Sequence, residues 1–134
     1  MSFPLMAAGS LACIGAAIHG AAGEVLVVRK LSPAMLPASP FGGPGTTKRM
    51  IQVAWHMATI ALLTVGAALL LSGSVLDGDT ARAVGLVGAA ASTGFAALVV
   101  GLGAADARSL RPLFRHPGPL LLTATAALAW WGAL

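Results

Sequence analysis

The sequence predicts an all-α fold, a bundle of four transmembrane helices, and its composition and hydropathy pattern carry this prediction. Hydrophobic residues make up 57% of the chain and charged residues only 9%, and the mean hydropathy is +0.89. A soluble domain carries about 25% charged residues, so this chain has too few to give a globule a polar surface. Four apolar stretches approach the length of about 20 residues that a bilayer-spanning helix needs. We therefore predict one integral membrane domain over residues 1–134, in contact with the lipid bilayer.

Each helix is predicted from an apolar stretch and the residues that end it. The four helices cover, in chain order, residues 4–28, 50–72, 80–105 and 117–134. No basic segment precedes the first stretch, which favours a retained helix over a cleaved signal peptide. The fourth begins at Pro117, a residue well suited to the first helical position.

The connecting segments set the expected orientation in the membrane. Prolines and glycines recur through 31–47, so we expect no helix there. Basic residues flank this segment and occur within 106–116, whereas the connector between the second and third helices carries Asp77 and Asp79. Since cytoplasmic loops are rich in Lys and Arg, both termini are predicted on the outer side of a bacterial inner (plasma) membrane.

Polar residues inside the apolar stretches are the candidate functional residues. His19 lies ten residues before Arg29 and His56 seven residues after Arg49, which puts them at similar depths of about 15 and 10 Å on neighbouring helices. Intramembrane ionisable residues are costly and usually functional, and Glu24 is a further one. The supporting polar residues are Gln52, Thr59 and Trp55.

Helical spacing brings only some of these residues to a common face. Gln52, His56 and Thr59 are spaced i, i+4 and i+7, which places them on one face of the second helix. His19 and Glu24 are five residues apart, or about 140° around an ideal helix. They are not expected to point at one spot unless Gly20 and Gly23 allow a local distortion.

The residue types are compatible with a cofactor. Two imidazoles on adjacent helices, His19 and His56, have the chemistry to bind a haem axially in a helix bundle. His19, His56, Glu24 and His116 also supply the ligand types for a transition metal, although no spacing matches a defined metal motif. We therefore hypothesise a haem or metal site for redox chemistry or metal handling, and we identify no catalytic nucleophile.

Two other functions stay open at this point. The polar residues of an accessory subunit in a larger membrane complex would only fix helix packing, and the small residues of the first and third helices would form contacts. A proton-coupled transporter would use Glu24, as a homo-oligomer because four short helices enclose little space. Nucleic acid is not an expected partner, because the basic residues lie beside the apolar stretches.

Three short motifs support a resemblance. They are His19-Gly-Ala-Ala-Gly-Glu24, Trp55-His56 and His116-Pro-Gly. Together they make the whole chain resemble uncharacterised bacterial small four-helix integral membrane proteins, a resemblance that implies the fold and no activity. Gly23-Glu24-Val25 followed by Lys30 is also similar to the first helix of small multidrug resistance exporters. The long Pro/Gly segment and the cationic helix flanks depart from those exporters.

Overall fold

The computed structural model describes residues 1–105 and 117–134, and this part of the chain is all-helical, as predicted. The described residues contain four α-helices: α1 (Phe3–Leu26), α2 (Pro44–Ser74), α3 (Gly78–Ala105) and α4 (Pro117–Ala133). Within the same residues, three segments are long and apolar enough to cross a membrane, namely Phe3–Lys30, Pro44–Ser74 and Gly78–Ala105. With 17 residues, α4 is about 25 Å long, slightly less than the hydrocarbon core of about 30 Å.

The start of α2 differs from the prediction. It begins at Pro44 rather than at residue 50, so the last part of the 31–47 segment is helical. Proline fits the first turn of a helix because its missing N–H has no partner there in any case, and Gly43 before it is extended. The rest of the segment contains the short 3₁₀ turn Pro33–Met35.

The helices form a ring in which each one packs against the next: α1 with α2, α2 with α3, α3 with α4, and α4 with α1. The Ser2 N–H donates to the Gly73 carbonyl over 2.8 Å, and the Ser2 hydroxyl donates to the Gly132 carbonyl over 3.4 Å. Both chain termini therefore lie at the same end of the bundle as the α2–α3 turn. The segment between α1 and α2 lies at the opposite end.

The bundle interior is built from small side chains, and the large ones face outward. Its buried cluster consists of Leu5 and Leu69 with four alanines, Ala8, Ala89, Ala129 and Ala133. More than half of the surface of Ile14, Ile60 and Leu102 is exposed. Such a distribution would be costly in water and suits helices surrounded by lipid.

Glycines bring α1 and α2 into close contact. A Cβ atom on Gly9 would lie 2.7 Å from the Gly66 carbonyl oxygen, and one on Gly66 would lie 2.6 Å from Cys13 Sγ. Small residues allow this approach where lipid provides no hydrophobic drive for helix association. The small residues of the first helix therefore pack within the bundle.

Candidate functional site

The predicted polar face of α2 points at α1. Gln52 and His56 both approach Glu24, and Thr59 approaches His19. These contacts lie in the half of the bundle away from the chain termini, since Glu24 is close to the end of α1 at Leu26. The i, i+4, i+7 spacing therefore identified the α2 side of the site.

His19 is held by α2 on its ring face, its ring edge and its backbone. Its ring stacks on the Trp55 indole, with 4.3 Å between ring centroids and an interplanar angle of 7°. His19 Nδ1 lies 2.9 Å from Thr59 Oγ1, and Trp55 Nε1 donates to the His19 carbonyl over 3.0 Å. These three contacts fix the position and orientation of the imidazole.

Thr59 also contacts its own helix. Thr59 Oγ1 lies 3.1 Å from the Trp55 carbonyl, a contact that helical threonines commonly make. This contact holds the hydroxyl beside His19 Nδ1, and the direction of the His19–Thr59 hydrogen bond depends on which ring nitrogen carries the proton.

Two glycines of α1 provide the space for these contacts. A Cβ atom on Gly23 would overlap the Trp55 indole, 2.6 Å from Cε2 and 2.7 Å from Nε1, and one on Gly20 would lie 2.8 Å from Thr59 Cγ2. Convergence of His19 and Glu24 would have required a distortion of α1 at these glycines, but the helix continues through both. Their role is to let Trp55 and Thr59 approach His19.

A cavity of about 270 Å³ adjoins the His19–Trp55 stack. It lies between α1, α2 and α4, and Pro117 and Gly118 at the start of α4 border it. The remaining lining is almost entirely aliphatic, including Ile18, Leu26, Leu62, Leu121 and Leu122. Sequence analysis did not predict this contribution of α4, because α4 carries no ionisable side chain in its described residues.

Glu24 forms a separate cluster on the same two helices. Its Oε1 accepts from Gln52 Nε2 over 3.2 Å and from Arg29 Nε over 3.4 Å. Oε2 lies 3.3 Å from His56 Nε2, within ion-pair distance. The His56 ring and Oε2 are not aligned for a hydrogen bond. Oε2 is buried and accepts no hydrogen bond from the described residues. The Glu24 side chain is 14% exposed, compared with 46% for His56 and 70% for Arg29.

The predicted ligands are thus distributed over two clusters. His19 contacts Trp55 and Thr59, whereas His56 contacts Glu24, in keeping with the 140° between His19 and Glu24. His116 lies outside the described residues. Over residues 1–105 and 117–134, no three His, Cys, Asp or Glu side chains come together as a metal-binding group. The haem or metal site stays a prediction.

Comparisons of the chain with known protein families, curated proteins and solved structures find no match. The resemblance to small four-helix bacterial membrane proteins therefore stays a prediction. Function has to be argued from the geometry of the site.

Proposed function

We propose that this protein binds a small, mainly apolar molecule in the cavity between α1, α2 and α4. The observation that carries the proposal is the lining of this cavity, aliphatic except at His19 and Trp55. Binding sites for small molecules typically combine an apolar wall with a few fixed polar groups. His19 is such a group, because Trp55 and Thr59 fix its ring.

The size and polarity of the cavity narrow the ligand class. An apolar cavity of about 150 Å³ holds a benzene molecule, so the volume here of about 270 Å³ suits one or two rings. Trp55 Nε1 already donates to His19, so the indole offers a flat apolar surface rather than a donor. An uncharged aromatic ligand can pack on this surface.

The test uses Trp55 as the only reporter, in a Trp130→Phe/Trp131→Phe background. Bromine quenches indole fluorescence at short range, so 4-bromophenol and 4-bromotoluene, two probes of the same shape, are titrated. We expect saturable quenching of Trp55 by both. In His19→Ala, which removes an aromatic ring from the cavity wall, the affinity for each probe should fall about fivefold to tenfold through loss of one aromatic contact. His19→Phe keeps a ring against Trp55 and should retain the affinity.

The two variants separate binding in the cavity from partitioning into lipid or detergent, because partitioning does not depend on the side chain at position 19. Equal affinities in His19→Ala and the parent protein would contradict a binding site beside His19. Quenching that does not saturate with either probe would overturn the proposal and favour the accessory-subunit hypothesis.

A haem or metal ligand role for His19 is the second candidate. The 2.9 Å contact between His19 Nδ1 and Thr59 Oγ1 supports it, because metal-bound histidines usually hydrogen-bond a neighbouring group through the ring nitrogen that does not bind the metal. Protein purified gently from membranes should then show a Soret band or stoichiometric metal by elemental analysis, lost in His19→Ala. A colourless, metal-free preparation would count against this candidate.

We also propose that α4 is a fourth span and that both termini face outward from a bacterial inner membrane. Arg29 and Lys30 follow α1, and Lys48 and Arg49 lie near the start of α2, all at the end of the bundle opposite the termini. Positively charged connections are typically cytoplasmic. Trp130 and Trp131 then lie near the outer interface, where amphipathic rings are enriched.

Cysteine labelling in intact cells tests this orientation. Cys13 is replaced by alanine, and single cysteines are introduced at the exposed positions Ala38 and Ser74, which leaves the charge distribution intact. A membrane-impermeant maleimide should label Ser74→Cys in intact cells and Ala38→Cys only after lysis. The reverse pattern would invert the assignment.

A further inference from the structure

The Glu24 cluster, which the proposed ligand cavity does not include, has the arrangement of a proton-binding site. We propose that the Glu24 carboxylate binds and releases a proton within the segment Phe3–Lys30, and that His56 is the group through which the proton passes. Intramembrane carboxylates next to imidazoles recur in proton relays.

The two carboxylate oxygens have different surroundings. Oε1 is occupied by the donors of Gln52 and Arg29, whereas Oε2 is buried and lies 3.3 Å from His56 Nε2. Burial prevents solvent from reaching Oε2 directly. His56 is 46% exposed, so its ring connects the buried oxygen to the surface of the bundle.

The charges around the pair are few. Arg29, from the segment after α1, contacts Glu24. Lys30 follows Arg29, and Lys48 and Arg49 lie near the start of α2 at the same end of the bundle. The described residues of α4 include no ionisable side chain, and the charged residues of α3, Asp79 and Arg82, lie at its opposite end. Among the described residues at this end of the bundle, Glu24 is thus the only carboxylate, and the other charged side chains are cations.

The transfer itself requires no other reactant. In protonated His56, a small ring rotation aligns Nε2–H with Oε2, and the proton moves from nitrogen to oxygen. The imidazole keeps the electron pair on Nε2 and becomes neutral, and Glu24 becomes a neutral carboxylic acid. Water at the exposed ring then returns a proton to His56, and release follows the same steps in reverse.

Infrared difference spectroscopy after a pH jump tests this inference. We expect the full chain to show the C=O band of a protonated carboxylic acid, and Glu24→Gln should remove that band. In His56→Ala, the band should still form but on the order of a hundredfold more slowly, the lower range of proton-transfer catalysis by a positioned side chain. Added imidazole should restore the rate, while His56→Gln should remain slow and resist rescue.

Each alternative result has a defined meaning. A spectrum that is identical in Glu24→Gln would overturn Glu24 as the proton site. An unchanged rate in both His56 variants would overturn His56 as the path. Neither result depends on bromophenol binding, because the His19–Trp55 stack and the cavity do not include Glu24 or His56.

Discussion

Gly9→Ala is expected to lower the stability of the bundle by about 1–3 kcal/mol, the usual cost of overpacking a tight interface. The added Cβ would lie 2.7 Å from the Gly66 carbonyl oxygen and 2.8 Å from the Leu70 backbone nitrogen. Both are backbone atoms, so no side-chain rotation relieves the clash, and α1 has to move away from α2. The midpoint of thermal unfolding of the purified protein in detergent measures the loss.

Gly94→Ala is the matched control for this substitution. A Cβ atom at Gly94, inside α3, meets nothing within 4 Å among the described residues. Alanine also has a better helix propensity than glycine, so the midpoint should stay the same or rise. A similar fall in both variants would show that the loss at position 9 does not come from contact with α2.

The helices were predictable because each depends on local composition. A bilayer-spanning helix satisfies its own backbone hydrogen bonds, so an apolar stretch of sufficient length identifies it without knowledge of its neighbours. The start of α2 was missed because Pro44, which seemed to break a helix, instead occupies its first turn.

The candidate site was predictable in its residues but not in its pairing. Helical spacing predicts a common face for Gln52, His56 and Thr59. In the structure this face contacts α1. Which partner each residue meets depends on the depth at which α1 and α2 cross. Gly20 and Gly23 set that approach through the space they leave open, a property that does not stand out in a sequence rich in glycine.

Gly23→Ala should displace Trp55 and thereby weaken ligand binding. The added Cβ would lie 2.6 Å from Trp55 Cε2 and 2.7 Å from Nε1, so the rigid indole has to move away from α1. It would lose both its stack on His19 and its hydrogen bond to the His19 carbonyl. The ligand would then lose its contact with the indole face, which is worth about 1 kcal/mol, so the affinity for 4-bromophenol should fall about fivefold to tenfold.

Gly15→Ala is the matched substitution on the same helix. Its Cβ would approach only the end of the Leu121 side chain, at Cδ2, which can rotate away. Because Gly15 also lines the cavity, this variant reports the effect of a methyl group that does not touch Trp55. We expect its bromophenol affinity to stay close to that of the parent protein.

A double-mutant cycle connects the effect at Gly23 to Trp55 itself, with the unfolding midpoint as the readout. Phenylalanine at position 55 lacks the indole nitrogen and the outer ring that Gly23 accommodates. Gly23→Ala should therefore cost little in a Trp55→Phe background, and the two substitutions should be strongly non-additive. Equal costs in both backgrounds would mean that the methyl group disturbs α1 itself. In that case the close approach of Trp55 to α1 would not be what requires glycine at position 23.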